Sequence, residues 1–114
     1  MTQIIMEHAE FRQILLEAVD YGLMVLGEIV RQTIYERIEK DHGLKRADIP
    51  EQLEAFHKAL RSVLGVSAKT VERLIAKNLY KRLGLDFTEH VNWTLTDYFN
   101  HVKKALARHQ GNSD

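Results

Sequence analysis

The chain has no cysteine, and proline and tryptophan occur only once each. Without thiols it can form no disulfide, no thiolate metal site and no cysteine nucleophile. Its apolar runs are much shorter than the roughly 20 residues that a membrane-spanning helix needs. The first ten residues lack the basic segment and the long apolar run of a secretory signal. These absences predict a cytoplasmic protein that makes no membrane contact.

Length and composition are those of one ordinary globular domain. The chain has 114 residues, of which 28% are charged and 45% hydrophobic, and this is enough for a single hydrophobic core. We expect one helical domain over residues 1–110 and a frayed tail at 111–114.

The net charge is zero, but the two halves differ in sign. Residues 1–57 hold 6 Lys or Arg and 11 Asp or Glu, whereas residues 58–114 hold 10 and 5. Pairing between the halves within the folded chain is the interpretation we favour. The alternatives are self-assembly with unlike surfaces facing each other, or one cationic surface for a partner.

Apolar residues recur at the three-and-four spacing of amphipathic helices. The pattern predicts an all-α fold, a compact bundle of about five helices around a single hydrophobic core. We place these helices at about residues 7–24, 28–41, 48–65, 66–85 and 94–109. A break near Leu26–Gly27 is favoured over one helix across residues 7–41. Residues 86–93 are predicted to be a loop held by Phe87 and Trp93, with a short extended piece as the alternative.

The helix ends carry local signals. Three predicted helices finish in a glycine followed by an aliphatic residue, at Gly43-Leu44, Gly65-Val66 and Gly84-Leu85. Each glycine is expected to take the left-handed conformation, after which the aliphatic side chain folds back onto its helix. The expected start signals are Asp48 with Glu51, Ser67, and Thr94 with Asp97.

The helical spacing also predicts which side chains face the core. On the second helix these are Ile29, Val30, Thr33, Ile34 and Ile38. On the fourth they are Val71, Leu74, Ile75, Asn78, Leu79 and Leu83. The tyrosines are predicted to be core residues whose hydroxyls reach a polar partner; they are Tyr21, Tyr35, Tyr80 and Tyr98.

The outer side of the fourth helix carries one cation every four residues. This cationic ridge consists of Lys69, Arg73, Lys77 and Lys81. A solvated helix face is the more ordinary interpretation. The functional alternative is a surface for phosphates, an acidic partner or a nucleic-acid backbone, which makes these four residues the candidate site.

Catalytic and metal-binding patterns are weak. Glu39 with His42 and Glu54 with His57 have the spacing of di-iron bundle ligands. That site needs both pairs to project inward and a glutamate from each of two further helices, whereas the first pair sits at a helix end beside Gly43 and the second need not point inward. His101 with Lys104 has only a faint likeness to a phosphoaccepting histidine. We therefore predict no catalytic residue, no metal and no cofactor; an enzyme would need a pocket that gathers Glu54, His57 and another titratable group.

Reading of duplex DNA is not favoured either. The second and third helices are joined closely enough for a helix-turn-helix motif. A recognition helix should be basic near its start, whereas the third helix opens with Asp48, Glu51 and Glu54. Nucleic acid or another anionic ligand, bound by the cationic ridge, remains the alternative function.

Several short segments stand in order over residues 18–106: Leu26-Gly27-Glu28, Ile34-Tyr35, Ile49-Pro50, Phe56, Leu60, Gly65, Ala68-Lys69, Leu79-Tyr80, Leu83-Gly84-Leu85 and Asp97-Tyr98. Together they resemble a small archaeal domain family of uncharacterised function, the Nitrosopumilus-type output domains. The resemblance implies a place at the downstream end of signalling proteins, and it brings no known catalytic residues. Ser67 stands where this family is expected to have a glycine or another small residue.

The sequence therefore predicts a non-enzymatic binding or signal-output module that acts through protein–protein contacts. The segment from Leu23 to Leu26 is wholly apolar and lies between Gly22 and Gly27. We expect it either to form a homodimer surface or to be covered by the last helix.

Overall fold

The fourth predicted helix lies at the centre of the bundle. The computed structural model describes residues 8–111, and their side chains as far as residue 107. It contains five α-helices and one short 3₁₀-helix, and no strand occurs within this range, so the all-α prediction is confirmed. The elements are α1 (His8–Met24), α2 (Glu28–His42), the 3₁₀-helix (Arg46–Glu51), α3 (Leu53–Leu64), α4 (Ser67–Leu83) and α5 (Leu95–Gly111).

Helix α4 packs against α1, α3 and α5, while α2 packs against α1 and α3. The contact between α1 and α4 is the most extensive of these. It is also close, because a Cβ atom on the buried Gly22 would lie only 2.4 Å from Cγ1 of Ile75. Glycine at this position is what allows the two helices to approach.

One hydrophobic cluster fills the space between the helices. Phe56 and Leu79 are fully buried and Leu74 is half-buried, which agrees with the predicted inward faces of α3 and α4. Phe87 and Trp93 pack against this cluster from the connection between α4 and α5. That connection is a loop, as predicted. The largest fully buried side chains are Phe56, Leu15, Leu23, Ile38, Ile49, Leu60, Ile75, Leu79, Leu95, Val19 and Val102.

All three helices end at the predicted glycines, and two of these glycines have the predicted left-handed conformation. Gly43 (φ 67°) and Gly84 (φ 72°) are left-handed. After Gly84 the N–H of Leu85 donates to the carbonyl of Tyr80 at 2.9 Å, as in a Schellman motif. At the start of α5 the N–H of Thr94 donates to the carboxylate of Asp97 at 2.9 Å, so the predicted capping box is also present.

At the junction of α3 and α4 the helix ends at Gly65, as predicted, but the conformation and the capping predicted there were wrong. Gly65 has a positive φ of 62° but a ψ of −137°, so the chain passes directly into the next helix. Val66 then has helical angles and is 85% exposed rather than folded back onto α3. Ser67 makes no capping bond because it is already the first residue of α4.

The predicted start of the third helix was also wrong. Asp48 lies inside the 3₁₀-helix and caps nothing, and α3 begins later, at Leu53. Glu51 does not reach back to its own helix. Its carboxylate instead accepts two bonds from the guanidinium of Arg12 on α1, at 2.5 and 3.0 Å, because a charged donor is the stronger partner.

The chain breaks between α1 and α2 at residues 25–27, as predicted, and Gly27 has a φ of 106°. The inward face predicted for α2 was partly wrong. Ile34 and Ile38 are buried, but Ile29, Val30 and Thr33 are exposed.

The tail predicted at 111–114 lies outside the described residues, apart from Gly111, which ends α5. The first seven residues, including the predicted first residue of α1, lie outside them as well. No helix within residues 8–111 is both long and apolar enough to cross a membrane.

Candidate functional site

The clearest surface feature is an apolar patch at the junction of α1 and α2. Six large apolar side chains within ten residues are exposed, and the most open is Ile29, at 79%. The segment from Leu23 to Leu26 is not covered by α5; only Leu23 turns inward. Tyr21 is half exposed, so its prediction as a core residue was wrong. The apolar patch consists of Tyr21, Met24, Val25, Leu26, Ile29 and Val30.

Charges beside the apolar patch are paired within the chain. The guanidinium of Arg31 donates to Asp20 at 3.2 Å and to Glu28 at 2.7 Å. Asp20 also accepts from the Tyr35 hydroxyl at 2.5 Å and from Arg46 at 2.6 and 3.1 Å. The charged groups bordering the patch therefore neutralise one another.

This cluster of bonds also sets the ionisation of its members. Burial acts to raise the pKa of Asp20, but the bonds from Arg46 and Tyr35 outweigh it, and the pKa lies below its ordinary value. Burial, together with the bond to Asp20, raises the pKa of Tyr35 well above its ordinary value. At neutral pH the carboxylate is therefore charged and the phenol is a donor.

The four predicted site residues do share one face of α4. Lys69, Lys77 and Lys81 are exposed and Arg73 is partly buried. Within residues 8–107 the three lysines make no ion pair, and Arg73 makes one long contact, 3.7 Å, to Glu89. With a rise of about 1.5 Å per residue, the cationic ridge is about 18 Å long.

A small pocket of about 250 Å³ opens at the N-terminal end of the cationic ridge. The first two turns of α4 form one wall and the loop before α5 forms the other. The lining combines two cations of the ridge with aromatic rings. Its residues are Lys69, Thr70, Arg73, Glu89, His90, Val91, Trp93 and Tyr98.

The aromatic wall of this small pocket is held in place by hydrogen bonds. The ring of His90 stacks on Trp93, with centroids 3.8 Å apart and an angle of 15° between the planes. The Tyr98 hydroxyl accepts from the N–H of His90 at 2.8 Å and donates to its carbonyl at 3.2 Å. Tyr80 donates to the carbonyl of Tyr98 at 3.0 Å. Burial raises the pKa of Tyr80 to about 12, so this donor is protonated at neutral pH.

His57 pairs with Glu72 on α4 and not with Glu54. Its Nδ1 lies 2.6 Å from Oε2 of Glu72, which is only 4% exposed. The other oxygen of Glu72 accepts from the N–H of Leu95, the first residue of α5, at 2.9 Å. Glu54 instead accepts from the Thr96 hydroxyl at 3.2 Å. The arrangement ties α3, α4 and α5 together.

Glu72 is buried, although it is not among the inward-facing residues predicted for α4. A signal was present in its neighbours. Ala68, Ala76 and Tyr80 lie on the same side of the helix at four-residue spacing, and all are buried. Small residues on both sides of a glutamate indicate close approach of another helix, and a carboxylate buried there needs a bonding partner.

A wider groove of about 1090 Å³ runs between the first half of α1, the end of α4 and α5. Its floor is apolar: Phe11 packs on Phe99 with centroids 5.3 Å apart, and Leu85 and Leu106 line it as well. The Lys103 ammonium lies 5.5 Å from the centre of the Phe99 ring. Neither His57 nor Glu72 lines this groove or the small pocket.

The metal-type spacings in the sequence do not converge. Glu39 and His42 are exposed near the end of α2. Between residues 8 and 107 no three histidine, aspartate or glutamate side chains are placed so that they could hold a metal ion. His101 stacks on Tyr80, and its Nδ1 lies 2.8 Å from the tyrosine hydroxyl.

The chain matches no known family model, no curated protein and no solved structure.

Proposed function

We propose that this chain is a non-enzymatic binding module of the signal-output type, which acts through protein–protein contacts and pairs with a second copy of itself. The observation that carries the proposal is the apolar patch. Six large apolar side chains between Tyr21 and Val30 are 39–79% exposed. Single exposed apolar residues are common on protein surfaces, but a contiguous group is typical of a contact surface.

The paired charges beside the apolar patch favour a second copy as the partner. A two-fold symmetric contact places the same surface of both chains face to face. Unpaired like charges would then oppose each other at a cost of several kcal/mol. Here Arg31 is bonded to both Asp20 and Glu28. A second copy of the chain can therefore cover the apolar patch without leaving this charged group unpaired.

The position of the His57–Glu72 pair favours a binding role over catalysis. A general base must reach a substrate proton, and a base held by a carboxylate usually faces a cleft. His57 is held in that way by Glu72 at 2.6 Å. Their location between three helices, away from the groove and the small pocket, favours a structural role for the pair.

The test is the mass of the protein in solution as its concentration rises, measured by sedimentation equilibrium. From about 1 µM to about 500 µM, a range that covers moderate affinities, the mass should rise from that of the 13.2 kDa chain toward twice that value. Val25→Glu should keep the protein monomeric, since Val25 is 58% exposed within the apolar patch.

Val91→Glu is the matched control, because Val91 is 66% exposed but lies outside the apolar patch. The Val91→Glu protein should associate as the wild type does. A wild-type mass that stays at one chain over the whole range would refute self-pairing. Equal loss of association in both variants would show that the contact does not use the apolar patch.

A further inference from the structure

We infer that the cationic ridge and the small pocket together form a binding site for single-stranded nucleic acid, with the backbone along α4 and one base against the His90–Trp93 pair. This site is separate from the apolar patch. A row of cations on one helix ends at an aromatic stack formed by the exposed His90 and the partly buried Trp93.

The cationic ridge carries positive charge that a ligand can use. Lys69, Lys77 and Lys81 make no ion pair within residues 8–107, so their charges are free for a ligand. Successive cations are four residues apart and therefore about 6 Å apart along the helix axis. A row about 18 Å long can contact several consecutive phosphates, whereas a single nucleotide would reach only the end at Lys69 and Arg73.

The aromatic wall supplies a surface on which a base can stack. Proteins that bind single strands combine a cationic track with aromatic side chains on which bases stack. His90 is exposed and already stacks on Trp93 at 3.8 Å, so its outer face can extend the stack by one base. The Tyr98 hydroxyl bonds to both the N–H and the carbonyl of His90. These two bonds hold the aromatic wall in place before a ligand binds.

Size and shape favour a single strand over a duplex. The small pocket, at about 250 Å³, is below the roughly 300–1,000 Å³ of sites for drug-sized ligands and suits one base or one phosphate. A duplex keeps its bases stacked inside and offers none to His90. The outer face of α4 also lacks a row of amide side chains for reading base edges in a groove.

Glu89 opposes this binding and provides a sharp test. Its carboxylate lies 3.7 Å from Nε of Arg73 and lines the same small pocket. Glu89→Gln would release Arg73 and remove a negative charge from the path of the phosphates. Affinity for the strand should therefore rise about two- to fivefold, in line with the strength of an exposed ion pair.

The experiment titrates the full chain into a fluorescein-labelled oligothymidylate of about 15 nucleotides, long enough for the roughly 4–16 that one such site covers, and follows anisotropy. Trp93 is the only tryptophan, so its own emission reports on stacking at His90. Each phosphate contacted contributes about −0.7 to the slope of the logarithm of affinity against the logarithm of salt concentration. With three or four contacts, affinity should therefore fall about 20- to 50-fold between 50 and 200 mM salt. The Trp93 emission should be quenched on binding.

Three exposed residues supply the variants. Lys77→Gln should weaken binding and lower the salt slope by about 0.7. His90→Ala should weaken binding about tenfold and remove the quenching, since stacking on an aromatic side chain is lost. Lys40→Gln on α2, an exposed cation away from the cationic ridge, is the control and should bind as the wild type does.

Three results would overturn the inference. One is no binding of the oligonucleotide at 50 mM salt. The second is binding that leaves the Trp93 emission unquenched and that His90→Ala does not weaken. This result would show that the lysines attract any polyanion without stacking of a base. The third is equal affinity for a duplex of the same length or for thymidine monophosphate, because neither uses both the cationic ridge and the aromatic wall.

Discussion

His57 and Glu72 approach to 2.6 Å in the interior of the bundle, where Glu72 is the one charged residue with less than 5% exposure among those described. The carboxylate bonds to the His57 ring of α3 with one oxygen and to the N–H of Leu95 with the other. It thereby satisfies a free N–H at the start of α5. A single side chain of α4 thus fixes the positions of two neighbouring helices.

Glu72→Ala should destabilise the protein by about 2–4 kcal/mol, because it leaves both the Leu95 N–H and the His57 ring without their acceptor. Glu72→Gln should cost less, since an amide oxygen can still accept from Leu95. Urea unfolding measures both changes. Glu36→Ala, at an exposed position on α2, should be nearly neutral. A Glu72→Ala protein as stable as Glu36→Ala would show that the bonds of Glu72 contribute little to stability.

Gly22→Ala should destabilise the protein by about 1–2 kcal/mol, because the new Cβ would lie 2.4 Å from Cγ1 of Ile75. At an open helical position the same change stabilises by up to about 1 kcal/mol, so the sign of the effect is informative. Ile75→Ala removes the obstructing atom, and the cost of Gly22→Ala should largely disappear in that background. Thermal or urea unfolding of the four proteins in this cycle gives the coupling, and strict additivity would argue against the close contact.

Asp20 should make stability depend on pH in the acid range. Burial acts to raise the pKa of Asp20, but the bonds from Arg46 and Tyr35 together lower it by more. The pKa in the folded protein therefore lies below the ordinary value of 3.8. A carboxylate of this kind stabilises the fold above its unfolded pKa, and the contribution is lost as pH falls through the folded value. Asp20→Asn should therefore cost about 1–2 kcal/mol at pH 7, and the difference from wild type should shrink below about pH 4.

The measurement is the free energy of unfolding of wild type and Asp20→Asn between pH 2 and pH 7, where this linkage acts. Asp41→Asn is a fair control, because Asp41 is exposed on α2 and makes only a 3.4 Å contact with Arg37. A gap between wild type and Asp20→Asn that stayed constant down to pH 2 would contradict the assigned pKa direction.

Most of the fold could be predicted because its signals are local. Gly43 and Gly84 end their helices by a backbone conformation that other residues adopt at a cost, and Thr94 with Asp97 cap α5 within four residues. The apolar spacing of α4 correctly placed Val71, Ile75 and Leu79 in the core. Each of these signals is complete within one or two helical turns.

The errors arose where the outcome depends on distant residues. Glu51 was predicted to cap its own helix, but Arg12, 39 positions away, is its partner. Ile29 continues the apolar stripe of α2. The neighbouring residues give no signal that this side chain is left uncovered by the other helices. The cationic ridge was predicted, but the aromatic wall beside it was not. His90 and Trp93 lie in the loop between α4 and α5, and it is the conformation of this loop that brings them next to the start of α4.

The central claim is that a second copy covers the apolar patch, and the labelling rate of a single thiol tests it most directly. The chain has no cysteine, so Ile29→Cys places a unique probe at the most exposed position of the apolar patch. If copies pair there, the reaction of this thiol with a water-soluble maleimide should slow severalfold as protein concentration rises, whereas Val91→Cys reacts at a constant rate. Equal rates for Ile29→Cys at low and high concentration would contradict the account.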